Sequence, residues 1–207
     1  GDHRHLHSFP TRRSSDLCLE TRCPDTGYMV PLAPSWIVSK TRNVVAKLVP
    51  VHANKRFDIE IKTGVSTKEM EEAANGTVRD GNLVYHLDGR IYSTPISTIR
   101  GDYRAEDGTR KNRLRMWDLH DFKPKPDDIF QERLYCIQWI AADTISKPRQ
   151  ETYFAAVTDE DLQREQKVDK IVEKGLANWQ AQGLVPDMEI ERSEERRVGK
   201  QCRSRWS

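Results

Sequence analysis

The stretch that most constrains the fold is residues 83–94, where two runs rich in β-branched, aromatic and other apolar residues flank Asp88-Gly89. An Asp-Gly pair readily takes the two positive φ angles of a tight turn whose twist suits antiparallel strands, so the stretch predicts a β-hairpin. His86 falls on a strand of that hairpin, where a single histidine reads as structural or solvated. Upstream, residues 43–51 alternate towards a strand. Residues 57–62 form a cleaner one, with Phe57, Ile59 and Ile61 on one face and Asp58, Glu60 and Lys62 on the other. Residues 52–56 have the length of a hairpin turn, and together these runs predict an antiparallel meander with one wet face.

Helix signals follow the same logic. Ser66 and Glu69 have the spacing of a capping box opening a short helix over residues 66–74, and Gly76 stands where such a helix closes. Thr158 and Asp161 cap the longest helix, with Asp159 and Glu160 at the positive end of its dipole. Its apolar stripe is Val168, Ile171, Val172, Leu176 and Trp179, and Gly183 terminates it. Between these two, Asp127 or Asp128 is expected to cap a further helix running to about Ile140, with Phe130, Leu134 and Ile137 on one stripe. Pro31 and Pro34 make residues 28–39 an edge or irregular strand. The fold class expected is α+β, antiparallel hairpins followed by two helices, as a partial domain.

The two ends read differently from the middle. Residues 192–200 back-translate to AGATCGGAAGAGCGTCGTGTAGGGAAA, and residues 8–17 to a string whose body is the reverse complement of it. The pair resembles a sequencing adapter, so residues 1–17 and 192–207 are expected to be non-native and to be set aside in reading the fold. Residues 18–126 then form a β-rich module and residues 127–191 a helical segment. Of the total net charge of +2, residues 1–17 supply three Arg against two Asp, and residues 192–207 supply five Arg and one Lys against two Glu. Residues 18–191 therefore carry −3. The basic balance of the whole chain is no argument for a polyanionic partner.

A hydrophobic content of 36% against 32% charged residues suits one modest domain with a thin core. No apolar run is long enough to cross a bilayer and no signal-peptide pattern appears, so no membrane partner and a cytoplasmic location are expected. With Cys202 set aside, Cys18, Cys23 and Cys136 show no disulfide-framework spacing. Cys23-Pro24-Asp25-Thr26-Gly27 looks like half of a zinc knuckle with Thr26 in place of the second thiolate, and a structural zinc needs four ligands. The turn is expected to persist without metal.

Residues 94–140 hold the densest mixture of cations, aromatics and turn formers. Arg100, Arg104, Arg110, Lys111, Arg113 and Arg115 are interleaved with Tyr103 and Trp117. Such residues neutralise phosphates and offer faces on which bases stack. Asp102, Glu106, Asp107 and Asp118 lie among them, and a solvated loop with internal ion pairs explains the same run. No Gly-rich phosphate loop, Gly-x-Ser-x-Gly elbow or His-Glu-x-x-His pair occurs. His120 with Asp118 and Asp121 reads as a solvated turn, and no catalytic residue is assigned.

Several short motifs occur in an informative order. They are Cys23-Pro24-Asp25-Thr26-Gly27 with Val30-Pro31-Leu32, Thr94-Pro95-Ile96 with Gly101-Asp102-Tyr103-Arg104, and the run from Asp128 to Leu134. Thr158-Asp159-Glu160-Asp161-Leu162, Trp179-Gln180 and Pro186-Asp187-Met188 follow. This series resembles the interior of large bacterial adenine-specific DNA methylases, including those found with anti-phage defence genes. The resemblance implies a parent protein whose Rossmann-like domain binds S-adenosylmethionine and whose Asn-Pro-Pro-Tyr-type motif holds a flipped adenine. Neither motif is present here, so no cofactor-binding residue is carried over. The resemblance makes Arg100, Arg104, Lys111, Arg113 and Arg115 candidate phosphate contacts and Tyr103 and Trp117 candidate stacking residues. It implies DNA and the remainder of the methylase chain as partners. The alternative function is a non-catalytic scaffold of a phage-defence assembly that docks through the long helix.

Overall fold

The computed structural model describes residues 11–185, which divide into two compact units. One runs to Arg115 and resumes over Lys123–Asp159. The other comprises Met116–Phe122 and residues 160–185. The first unit is built on β1 (Thr11–Arg22), β2 (Met29–Leu32), β3 (Ile37–Ser39), β4 (Val44–Val51), β5 (Arg56–Thr63), β11 (Phe130–Ile140) and β12 (Thr152–Ala156). These form one sheet in the order β12-β11-β1-β2-β5-β4-β3. Its pairings are antiparallel except where β2 meets β5, at Met29 and Arg56. A second sheet contains β6 (Val78–Arg79), β7 (Asn82–Leu87) and β8 (Arg90–Pro95), and β9 (Tyr103–Arg104) with β10 (Arg110–Lys111) makes a two-stranded ribbon. With helices α1 (Thr67–Ala74), α2 (Ile96–Ile99) and α3 (Asp159–Ala181), the fold is α+β.

The local signals act as the sequence predicts. Asp88 and Gly89 take φ of 51° and 75°, and β7 pairs with β8 through Leu87 and Arg90. Ser66 Oγ accepts from the Glu69 amide while the Glu69 carboxylate accepts from the Ser66 amide at 2.8 Å, closing both halves of the capping box of α1. At the far end of α3, Gly183 N donates to Gln180 O and Leu184 N to Trp179 O, the paired bonds of a glycine-terminated helix. Gly76 has a different task from the one expected. It is not left-handed, and a Cβ there would fall 2.0 Å from Ala33 O, so glycine lets residues 73–78 lie against residues 33–36.

The expected helix after Asp127 is instead a strand. Phe130, Leu134 and Ile137 do recur at helical spacing, but β11 is rich in aromatic and β-branched residues and lies between β1 and β12. Its pairing with β1 runs from Thr11↔Ile140 to Thr21↔Phe130. A helix would satisfy its own backbone and leave β1 without that neighbour, so the long-range pairing overrides the local stripe. Burial on both faces also blurs the alternation by which a strand is read. β11 and β12 therefore belong to the sheet, and among the described residues of the segment expected to be helical α3 is the one α-helix. The proline-bearing β2 is likewise interior, with Pro31 opposite Glu20, while β3 forms the edge.

Thr11–Arg22 is continuous as a strand, so residues expected to be non-native share it with Cys18 and its successors. None of residues 11–17 is buried, and Leu17 is 61% exposed, whereas Cys18, Glu20 and Thr21 are buried. Core burial on this strand starts at Cys18.

Two apolar clusters fill the first unit. One joins Tyr28, Val30 and Phe57 to Leu83, Tyr85 and Leu87 and fastens the hairpin to β2 and β5. The other gathers Cys18, Ala33, Trp36, Ala46 and Ile59, with Tyr135 packed against it. Trp36 and Tyr135 meet edge to face, their centroids 5.9 Å apart. Strands far apart in the sheet order contribute to this cluster, so the sheet curls around it. Arg42, ahead of β4, correspondingly donates to Thr152 O and lies over the Phe154 ring.

In the second unit, Leu176 of α3 is buried, Val172 and Trp179 are half-buried, and Val168 and Ile171 of the expected stripe are exposed. Gln180 Nε2 donates to Leu119 O, and its Oε1 lies 2.8 Å from His120 Nδ1, tying Met116–Phe122 to the helix. His120 lies in the exposed turn expected for it, closed by Asp121 N donating to Asp118 O, and hydrogen-bonds α3 through Gln180.

Candidate nucleic-acid interface

The basic stretch resolves into cations with structural duties and cations without them. Arg115 grips Asp128 with both arms of its guanidinium, Nε to Oδ1 and Nη2 to Oδ2, each at 2.8 Å. Asp128 Oδ2 also accepts from Lys125 N, and Gln131 Nε2 donates to the carbonyls of Lys125 and Asp128. The carboxylate expected to cap a helix therefore staples the approach to β11, and Arg115 is its cationic half. Arg100 Nη2 donates to Asp102 Oδ2 at 2.6 Å, while its Nε is buried with no acceptor among the described residues. Arg113 N donates to Arg100 O, and the Arg113 stem packs on Gly101, joining the two sides of the loop below the ribbon.

Beyond that base, β9 and β10 carry exposed side chains only. Arg104 lies opposite Arg110, and Tyr103 opposite Lys111. Directly opposed residues of an antiparallel pair share a face, so one face of the ribbon bears two guanidiniums and the other a phenol beside an ammonium. Like charges placed opposite one another destabilise a strand pair unless an anion lies between them. Among the described residues none of these three cations has an ion-pair partner. The turn joining the strands is held by Asp107, whose Oδ1 accepts from Thr109 N and Oγ1, and those bonds keep its carboxyl below the usual range.

Tyr103 is 50% exposed on the ribbon, and Trp117 is exposed in the second unit. Of the seven candidates, the structure brings Tyr103, Arg104 and Lys111 together, sets Arg100 and Arg113 at the base of the ribbon, and ties Arg115 to Asp128. Sequence reading missed the most buried charge cluster. Glu20 accepts from Arg56 at 2.6 Å and from Arg133 at 3.3 Å, and Arg133 also donates to Phe57 O. Only the strand order, which sets β1 beside β11, brings Glu20 and Arg133 together.

The Cys23 turn keeps its knuckle form through hydrogen bonds. Gly27 N donates to Cys23 O and Cys23 N to Tyr28 O, each at 2.8 Å. Thr26 Oγ1, in the position of the second thiolate, lies 2.6 Å from the Tyr85 hydroxyl. Burial pushes the Cys23 thiol up, but hydrogen bonds from Tyr85, Thr94 and the amides of Thr26 and Asp25 outweigh it and hold the thiol below its ordinary value. Among the described residues no cluster of three or more His, Cys, Asp or Glu could hold a metal.

S-adenosylmethionine sites of the Rossmann type lie where parallel strands are joined through helices. The one parallel contact among the described residues is Met29 with Arg56, so these residues do not build a site of that type. No helix among them is long and apolar enough to cross a membrane. No family model, curated protein or solved structure matches the chain.

Proposed function

We propose that this chain is a DNA-facing module without catalytic groups of its own, belonging to an S-adenosylmethionine-dependent adenine-specific DNA methylase. The observation that carries the reading is the ribbon, where Arg104 and Arg110 are opposed and unpaired beside Tyr103 and Lys111. A phosphate between the two guanidiniums removes their repulsion and accepts hydrogen bonds from both. Lys111 adds charge from the other face, and Tyr103 offers a ring for stacking. The cofactor and the flipped adenine belong to the parent protein. The cytoplasm is the compartment in which such a protein meets its DNA.

The test is the salt dependence of binding to a duplex oligonucleotide, followed by fluorescence anisotropy. Arg104→Ala and Lys111→Ala should each lower the slope of log K against log salt by about 1. Slopes equal to that of the unaltered chain would remove the ribbon from the interface.

A second reading, a scaffold that docks through α3, is favoured by Val168 and Ile171, which are 53% and 61% exposed on that helix. Val168→Ser/Ile171→Ser would then abolish co-purification with the parent assembly and leave DNA binding unchanged.

A further inference from the structure

We infer that the cleft between β4, α1 and β7 is a docking groove for an extended acidic-apolar peptide, which adds as a strand to the open edge of β4. On one side β4 is covered by β5 along its full length, Val44–Val51. On the other, β3 pairs with it only at Val44 and Val45. Ala46 N donates across that second side to Trp36 O, the last bond before the neighbouring chain turns away. Backbone groups in an antiparallel strand alternate between its two edges, so Leu48 directs its N–H and C=O to the same uncovered side.

Across the cleft β7 shows the same pattern. Val84 N donates to Thr77 O at 2.7 Å, where the chain departs at Gly76. His86, two residues further on, therefore presents its own N–H and C=O outward. Two strand edges with open donors and acceptors thus border one groove of about 310 Å³ whose floor includes Trp36, Phe57 and Tyr85. Backbone groups in this arrangement are matched by another extended backbone, with specificity coming from alternate side chains.

The rim sets the charge of that peptide. Lys47, Lys62 and Arg79 line it against Glu69 and Glu72, three cations to two carboxylates. The excess is positive, so side chains pointing up from the groove are acidic and those pointing down onto the aromatic floor are apolar. Lys47 also keeps this edge from pairing with a second uncharged sheet, because an edge lysine must be desolvated.

The probe is a fluorescein-labelled peptide of alternating glutamate and valine, about seven residues long, the length of an ordinary strand. The 207-residue chain is expected to bind it saturably, with slowed amide exchange at Leu48 and His86. N-methylating the peptide at alternate residues, which removes its backbone donors, should weaken binding about tenfold or more. The rim variant Lys47→Glu/Arg79→Glu should weaken it by at least a similar factor, about tenfold, by reversing the charge. Equal binding of the N-methylated peptide, unchanged exchange at Leu48, or no saturable binding would each overturn the inference. None of these results depends on whether the ribbon binds DNA.

Discussion

Arg133 and Arg104 are the same residue type put to opposite uses. Arg133 lies in the curled sheet with its guanidinium on Glu20 and the Phe57 carbonyl, and its side chain is 15% exposed. Arg104 stands on a two-stranded ribbon facing Arg110, open to solvent. A buried cation must be matched from within, because desolvation without a partner costs several kcal/mol. An exposed one opposite its own kind is matched, if at all, from outside. Partner and burial separate structural arginines from those available to a ligand, whereas density along the chain does not.

The largest effect expected is at the buried end. Arg133→Ala leaves Glu20 with Arg56 alone, and Arg56 is 42% exposed, so unfolding in urea should show a loss of about 3 kcal/mol. A loss below about 0.5 kcal/mol, the range of ordinary surface substitutions, would erase the distinction between the two arginines. Asp128→Asn keeps the shape of the Arg115 staple and removes its charge. A smaller destabilisation of about 1–2 kcal/mol follows, since this pair is partly open to water.

A locally tied charge gives a pH test. Bonds from the Ser66 amide and hydroxyl hold the Glu69 carboxyl below its ordinary value. Its contribution to stability is therefore present above the ordinary glutamate pKa and lost as pH falls through the lower folded value. NMR titration of Glu69 should show that downward shift, and Ser66→Ala, which removes the hydroxyl donor and keeps the amide, should return it part of the way to the ordinary value. Arg104→Ala completes the series with the smallest change in stability, within about 0.5 kcal/mol, read from the same urea curves.

What the sequence made legible follows the same division between near and far. The Asp88-Gly89 turn, the Ser66 and Glu69 box and the close of α3 at Gly183 depend on residues a few positions apart, and each formed as expected. β11 was read as a helix because Phe130, Leu134 and Ile137 are locally periodic, while the strand that decides its conformation begins more than a hundred residues earlier. The Glu20 and Arg133 pair was invisible for the same reason. At the candidate interface the sequence supplied the cations. Which of them Asp128 and Asp102 would engage required the path of the chain between β10 and β11 and the turn beside α2. Gly76 shows a third case, in which the expected residue stands at the expected place for another reason, close approach to Ala33 rather than a left-handed cap.

The central claim is that the free cations of the ribbon, unlike those of the sheet, meet phosphate. The most direct measurement is the salt slope of duplex binding by Arg104→Ala/Arg110→Ala, made beside a urea curve of the same variant. The account predicts a slope lower by about 2 with stability unchanged. An unaltered slope, or a slope that falls only because the variant unfolds, would contradict it.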